Sequence, residues 1–321
     1  EFKTKEEMIM HNRECFMKGR TGYRQVRLID PPEGNDPFTF KPKLLSERNE
    51  IRTETKKMEK ELIYFGDFES WIEEIDGEHH IMSFGLFNEK GKKFVIGKTI
   101  EEMFKLIIDD ALSEGVKIVR LFFHNAMNYD SNFIFKWLTS SEKAKKWKVD
   151  GVMKQINKFQ QLRIVTDEKI QIIIGDTYQF LTMSLEGLVD SVKSKSEDIE
   201  ENKRVFPRFF EVMHSLLPFV EEADINKILR KNPFPYTWFN SPEKLEESFS
   251  TFLEIFKDKT YFKANVDLEK AYEHAKWVGD TFHLETAGAY HDIYLSCDVL
   301  QLADIFMHAE QMFMKTHNII L

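Results

Sequence analysis

The chain has 321 residues, of which 42% are hydrophobic and 13% aromatic, which excludes an intrinsically disordered chain and allows a large core. Its formal net charge of −9 argues against a general binder of duplex nucleic acid, because such proteins are usually basic. No run approaches the roughly eighteen apolar residues of a membrane span, and the charged start does not resemble a secretory signal. The two distant cysteines, Cys15 and Cys297, favour a reducing compartment. We therefore expect a soluble, intracellular protein without disulfides.

Residues 1–60 show no sustained hydrophobic periodicity, and we interpret them as an N-terminal appendage or linker of unassigned function. From Glu61 onward, the hydrophobic pattern predicts four strands, which span Leu62–Phe68, Glu78–Asn88, Lys93–Ile96 and Lys117–Phe123. Between the third and fourth strands, a capping box at Thr99 predicts the start of a helix that ends at Gly115.

The second half of the chain is predicted to add two strands and several helices. The strands are Gly151–Thr166 and Lys169–Ile174, and the helices are Ser131–Thr139, Ser184–Val192, Asp267–Thr281 and about Ala287–His317. Residues 195–260 interrupt this rhythm and are interpreted as an insertion. Strands that alternate with helices, with three early strands in hairpin succession, indicate a mixed α/β sheet. We expect a single domain over residues 61–321.

A pair of acidic residues, Asp67 and Glu69, follows the first predicted strand. Side chains two residues apart in a strand point to the same face, so these carboxylates would lie side by side while Phe68 turns into the core. Two carboxylates held together repel each other unless a proton or cation intervenes, and hard oxygen ligands suit Mg²⁺ or Mn²⁺. The alternative is a strand end that leads into a solvated loop.

Polar residues also follow the fourth predicted strand, where His124 and Asn125 precede Asp130. The carboxyl ends of strands are the usual ligand-binding edge of an α/β sheet. Asp130 opens a helix, so it is either a third carboxylate beside Asp67 or simply a helix N-cap.

The last predicted helix carries Tyr294 and Asp298, which are four residues apart and therefore share a helix face. Asp298 lies among the apolar residues Leu295, Val299 and Leu302, where a buried carboxylate needs a partner such as a metal ion. The alternative is an exposed Tyr–Asp pair on a surface helix. Together, the carboxylates of Asp67, Glu69, Asp130 and Asp298 can hold two divalent ions about 3.5–4 Å apart, an arrangement suited to phosphoryl transfer.

The order Asp-x-Glu, Asn-x4-Asp and Tyr-x3-Asp resembles the three motifs of the 3′–5′ proofreading exonucleases with a tyrosine in the third motif. Within that superfamily, the chain is most similar to the protein-primed branch of family B DNA polymerases. The segment His124–Phe133 resembles the second motif of that branch, with one additional residue before Tyr129-Asp130. Ser184-Leu185 resembles its single-strand-binding motif, and Lys231-x4-Tyr236 resembles its lysine–tyrosine element. The resemblance covers about residues 61–317.

This resemblance implies a ribonuclease-H-like mixed α/β sheet flanked by helices, the fold of the DEDDy-type 3′–5′ exonucleases. It also implies two Mg²⁺ or Mn²⁺ ions, one held by Asp67, Glu69 and Asp298 and the other by Asp67 and Asp130. Tyr294 would position the attacking water, and Lys231 would steady the scissile phosphate or the water. Contacts with the last nucleotides of a single-stranded DNA primer, partly by stacking, are implied for Ser70, His124, Asn125, Tyr129, Phe133, Ser184, Leu185 and Tyr236.

The sequence motifs of the polymerase itself do not occur in the chain. We therefore expect the chain to be the proofreading part of a longer polymerase, with the polymerase domain and a priming protein as partners. Two alternatives remain open. One is a stand-alone exoribonuclease of the same superfamily, which the branch-specific motifs disfavour. The other is a non-catalytic module that binds DNA or the priming protein, which the presence of all four carboxylates disfavours.

Overall fold

A computed structural model of the protein describes residues 60–73, 77–155, 158–196, 198–263 and 265–317. These residues fall within Glu59–Leu321, one of the two units into which the chain divides. The predicted appendage, residues 1–60, lies outside the described residues except for Lys60.

Within the described residues, seven strands form one mixed sheet in the order β3-β2-β1-β4-β7-β6-β5. The strands are β1 Glu61–Ile72, β2 His79–Asn88, β3 Lys93–Gly97, β4 Ile118–Phe123, β5 Lys148–Gln155, β6 Lys158–Val165 and β7 Gln171–Asp176. The central strands β1, β4 and β7 are parallel to one another, and the other neighbours pair antiparallel. The first four predicted strands are therefore confirmed.

The prediction of one continuous strand over Gly151–Thr166 was wrong. Residues from this range form the end of β5 and all of β6, which pair antiparallel as a hairpin. The reversal between Gln155 and Lys158 contains Asn157 but neither glycine nor proline, so its turn signal is weak.

Nine α-helices occur in the described part of the chain. They are α1 Ile100–Ser113, α2 Asp130–Ser140, α3 Leu185–Val192, α4 Ile199–Val205, α5 Pro207–Leu216, α6 Glu222–Ile228, α7 Phe249–Ile255, α8 Leu268–Phe282 and α9 Ala287–His317. All predicted helices are confirmed, and the predicted cap Thr99 accepts a hydrogen bond from the Glu102 backbone N–H at 3.1 Å. Residues 195–260, for which the sequence predicted no element, contain α4 to α7. None of these helices combines the length and the apolar character that crossing a bilayer requires.

Helices cover both faces of the sheet. Alternation along β1 sends Leu62, Tyr64 and Phe68 into a core with α1 and α2, whereas Phe65 packs in a second core that contains α9. The inserted helices α4 to α7 and helix α8 also contribute to this second core. The predicted fold class, a ribonuclease-H-like mixed α/β sheet flanked by helices, is confirmed.

Helix α9 approaches the sheet very closely at Gly85 of β2. A Cβ atom added at Gly85 would lie 2.9 Å from Val299 Cγ2 and 3.0 Å from Leu295 Cγ, both on α9. Gly85 is the antiparallel partner of Asp67 on β1. The absence of a side chain at this position therefore lets α9 pack directly against the strand pair that carries Asp67.

A buried ionic network ties the insertion to α9. The fully buried carboxylate of Asp304 accepts hydrogen bonds from the backbone N–H groups of Arg208 at 3.2 Å and Phe209 at 2.8 Å. The Arg208 guanidinium also pairs with Asp304 at 3.1 Å and with Glu89 at 2.6 Å. Asp304 thus caps the first turn of α5, because Phe206 before that helix provides no side-chain cap.

Candidate metal centre

Strand β1 places two carboxylates beyond the point where its parallel neighbour ends. The pairing of β1 with β4 stops at Phe65, whereas β1 continues beside β2 to Ile72. The strand is therefore longer than the predicted Leu62–Phe68, because β2 supplies hydrogen-bond partners after β4 has ended. Asp67 and Glu69 lie in this extension, two residues apart, with Phe68 buried in the opposite core.

Helix α9 brings a third carboxylate to the same place. One oxygen atom each from Asp67, Glu69 and Asp298 lies within 4.8 Å of the other two. Asp298 is 6% exposed and Tyr294 is 1% exposed, so the alternative of an exposed Tyr–Asp pair on a surface helix is wrong. Three hard oxygen donors in a half-buried recess match the ligand preference of Mg²⁺ or Mn²⁺, so these residues fit a divalent ion.

Burial and mutual repulsion make this group costly to ionise. The pKa of Asp67 is raised well above its usual value by burial and then by the charges of Asp130, Glu69 and Asp298, while Lys231 opposes the rise. Burial also raises the pKa of Glu69 to about 8, although Lys231 lowers it. A bound cation would remove this repulsion.

Asp130 lies near Asp67 but outside the group of three. It is the first residue of α2 and is 3% exposed, and burial raises its pKa to about 7. Its Oδ1 atom is buried and has no hydrogen-bond partner among the described residues. The predicted alternative, a helix N-cap, was wrong because Tyr129 occupies the cap position. The unpartnered oxygen next to Asp67 also fits a cation ligand.

Lys231 supplies a positive charge to the acidic group. Its ammonium group donates to Asp298 Oδ2 and lies 4.3 Å from the centroid of the Tyr294 ring. Burial alone would lower the pKa of Lys231, but the adjacent Asp298 carboxylate raises it above the usual range. Lys231 therefore remains charged at neutral pH and offsets part of the repulsion among the carboxylates.

The Tyr294 ring is held by aromatic neighbours. It stacks on Phe234 with ring centroids 4.3 Å apart, and its hydroxyl is hydrogen-bonded to the Tyr236 hydroxyl at 2.7 Å. Tyr294, Tyr236 and the three carboxylates line one cavity of about 520 Å³. The tyrosine hydroxyl is thus anchored at the wall of the recess that contains the acidic group.

Besides Tyr236, two of the residues predicted to contact DNA, Ser70 and Tyr129, line this smaller cavity. The Tyr129 hydroxyl is hydrogen-bonded to the Ser70 hydroxyl and to His79 Nδ1, the latter at 3.0 Å. Phe133 packs edge-on against Tyr129 with centroids 5.1 Å apart, but it lines neither this cavity nor the larger one described next. In this structure, Phe133 therefore packs against Tyr129 and does not line either cavity.

A second cavity of about 930 Å³ lies beside the first and is lined by His124, Asn125, Ser184 and Leu185. Both ring nitrogens of His124 have protein partners, Thr177 Oγ1 at 2.8 Å and the Met183 carbonyl at 2.9 Å. Burial lowers the pKa of His124, so the ring is neutral at pH 7. Lys231 and Tyr236 line both cavities.

Sequence reasoning missed three residues of this region. Asp176, at the end of β7, accepts hydrogen bonds from the backbone N–H groups of Asn125 at 2.8 Å and Met127 at 2.9 Å and so shapes the loop before α2. The apolar run before Asp176 resembles the run before Asp67 and could have indicated it. Arg230 and Lys263 line the larger cavity, and no motif distinguishes them from other surface cations.

No protein-family model matches the chain, and no curated protein matches it. Solved structures to which the chain is similar include those of a DNA polymerase. Phi29 DNA polymerase complexed with single-stranded DNA matches with a TM-score of 0.33 and 18% identity over 42% of this chain and 24% of that chain. Phi29 DNA polymerase in an orthorhombic crystal form matches with a TM-score of 0.33 and 13% identity over 55% of this chain and 40% of that chain. At these low scores and identities, the matches assign neither a family nor an activity to this chain.

Proposed function

We propose that this chain is a metal-dependent 3′–5′ exonuclease that removes nucleotides from single-stranded DNA. The observation that carries the proposal is the group formed by Asp67, Glu69 and Asp298, whose oxygens lie within 4.8 Å of one another in an open recess beside Tyr294. Such a group is costly to keep without a cation and suits phosphodiester hydrolysis with one.

Asp67, Glu69 and Asp298 would hold one Mg²⁺ or Mn²⁺ ion, and Asp67 with Asp130 would hold a second. When bound, these ions supply Lewis acidity to the phosphodiester and charge stabilisation for its attacking and leaving oxygens. The unpartnered Asp130 Oδ1 and the raised pKa values of Asp67, Glu69 and Asp130 support this ligand set.

The protein's own contribution near the reacting phosphate is orientation. Burial raises the pKa of Tyr294 well above its usual value, so its hydroxyl is neutral at pH 7 and donates or accepts hydrogen bonds without acting as a base. Tyr236 fixes the direction of that hydroxyl, and Lys231 places a positive charge beside Asp298. These groups would position the attacking water and steady the scissile phosphate.

The proposal also covers how the DNA strand is bound and which larger protein the chain belongs to. Tyr129 is 38% exposed and its hydroxyl is fixed by two partners, which suits a ring that stacks on a base without reading its identity. A DNA 3′ end whose base stacks on Tyr129 must be unpaired from its complement. The chain would then be the proofreading part of a protein-primed family B DNA polymerase, acting with a polymerase domain and a priming protein.

Tyr294→Phe tests the positioning role. We expect turnover to fall by about tenfold to a hundredfold, because a hydrogen bond to the reacting water is lost while the ring stacking on Phe234 remains. Metal affinity and single-strand binding should not change. Single-turnover kinetics at saturating magnesium measure the turnover, and calorimetric metal titration measures the metal affinity.

The matched variant is Tyr236→Phe, which breaks the same hydroxyl pair but leaves the Tyr294 hydroxyl in place. It should lower turnover less than Tyr294→Phe does. An unchanged rate for Tyr294→Phe would show that Tyr294 only packs, and weakened metal binding would place it among the ligands.

The activity itself is tested with a 5′-labelled single-stranded oligonucleotide. In magnesium or manganese, we expect a ladder that shortens from the 3′ end and no reaction with a chelator. A matched RNA strand run in parallel separates a deoxyribonuclease from an exoribonuclease. Binding of the strand without any cleavage in either metal would leave only a binding module.

A further inference from the structure

The two cavities are parts of one surface feature, because Lys231, Tyr236 and Lys263 line both of them. We call this feature the channel. Its smaller arm, of about 520 Å³, contains the acidic group, and its larger arm, of about 930 Å³, extends along His124, Ser184 and the start of α8. Both volumes are in the range of ligand-binding sites.

The larger arm carries a charge opposite to that of the whole protein. Four cationic side chains line it against two carboxylates, Glu186 and Asp267, although the chain has a net charge of −9. Asparagine amides, which can bond to phosphate or base edges, make up much of the rest of the polar lining. The cations are Arg230, Lys231, Lys263 and Lys270.

Two of these four cations already have carboxylate partners. Lys231 pairs with Asp298, and Lys270 pairs with Asp267 at 3.1 Å. Arg230 and Lys263 form no ion pair with any residue that the structure describes. Both are exposed, so both can reach a ligand in the larger arm without breaking an existing ion pair.

Lys263 lies at the junction of the two arms. Its ammonium group is 4.6 Å from the centroid of the Tyr236 ring, whose hydroxyl bonds to Tyr294. It also lines the smaller arm together with Glu69. A phosphate at this position would connect a nucleotide in the smaller arm to the rest of a strand in the larger arm.

We infer that Arg230 and Lys263 bind backbone phosphates of the single strand, and that the chain between α6 and α8 forms one wall of the channel. This inference rests on the proposed function for its substrate class, a single-stranded nucleic acid. Lys263 contacts the phosphate at the entrance to the acidic group, and Arg230 contacts a phosphate farther from the strand end.

The test measures binding without cleavage. The full chain carries Asp67→Asn, and its affinity for a fluorescent oligothymidine is measured in chelator by anisotropy over a series of salt concentrations. Lys263→Gln and Arg230→Gln should each raise Kd several-fold. Each should also reduce the slope of log K against log salt by about 0.7, the value for one phosphate contact on a single strand. Lys259→Gln is the matched control, since Lys259 is exposed and near Lys263 in the chain but lines neither arm.

Unchanged Kd and slope for both channel variants would overturn the inference. An equal loss in Lys259→Gln would also overturn it, since the effect would then come from net charge. The outcome is separable from that of the proposed function. If the channel variants bind more weakly but the wild type never cleaves DNA, the phosphate contacts are supported and the nuclease is rejected. If the channel variants bind normally and the wild type cleaves DNA, the nuclease is supported and the phosphate contacts are rejected.

Discussion

Asp67→Ala and Asp298→Ala should each abolish the proposed nuclease activity while the protein remains folded. Each removes a carboxylate from the group that would hold the catalytic ion, and the ions supply several kcal/mol to phosphodiester hydrolysis. A rate loss on the order of a thousandfold or more follows. The measurement is the single-turnover rate on a 5′-labelled strand at saturating magnesium, with circular dichroism as the check on folding.

Asp67→Ala should also change the pH dependence of the free energy of unfolding. The pKa of Glu69 rises from its ordinary 4.5 to about 8 in the folded chain, so the folded state holds a proton that the unfolded state has released. Without metal, the free energy of unfolding therefore falls as pH rises from 4.5 towards 8. The pKa of Asp67 is raised in the same direction, by burial and by the charges of Asp130, Glu69 and Asp298. Because Asp67→Ala removes this buried carboxylate, the variant should be more stable than the wild type at pH 8 and similar near pH 4.5.

Thermal melts in chelator at the two pH values check this, and magnesium should raise the melting temperature of the wild type but not that of Asp67→Ala. Asp190→Ala, an exposed aspartate on α3, is the control and should follow the wild type throughout. Cleavage by Asp67→Ala that still depends on the metal would contradict the site assignment.

Asp304→Ala should destabilise the protein by about 3–5 kcal/mol, the usual cost of breaking a buried ion pair by removing one partner. The substitution leaves the Arg208 guanidinium with only Glu89 and leaves two backbone N–H groups of α5 without acceptors. Helix α5 and the core beneath it should then loosen first. Urea unfolding at equilibrium measures the loss, and hydrogen exchange locates it.

Asp190→Ala again serves as the control, since exposed substitutions of this kind usually stay within about 0.5 kcal/mol. A loss of less than about 1 kcal/mol for Asp304→Ala would show that the insertion is held mainly by apolar packing. Glu89→Gln, which retains the side-chain length, should cost less than Asp304→Ala because Glu89 is partly exposed.

Much of the fold could be predicted because its signals are local. The alternation of β1 predicted that Asp67 and Glu69 share a face, and the four-residue spacing of α9 predicted the same of Tyr294 and Asp298. That these two pairs meet depends on how α9 packs across the sheet, which no local pattern contains. The expectation that the two pairs meet came instead from the resemblance of the ordered motifs to those of the proofreading exonucleases.

The features that the sequence did not reveal depend on distant partners. Helices α4 and α5 are short, and α5 is capped by Asp304, which lies 95 residues beyond Phe209. The β5–β6 reversal has a weak turn signal, so alternation seemed to continue through it. Lys263 became distinguishable from Lys259 only when the folded chain showed which of the two lines the channel.

The contact between α9 and Gly85 sets the distance between the two elements that carry the proposed metal ligands. Gly85 lies across from Asp67 on the neighbouring strand, and the space where its side chain would be is filled by Leu295 and Val299, which flank Asp298 on α9. One methyl group at Gly85 would act as a wedge, lifting the helix that carries Asp298 away from the strand that carries Asp67. Gly85→Ala adds no charge and replaces none of the proposed ligands, yet it should weaken metal affinity because it changes the gap that a bound ion would have to bridge.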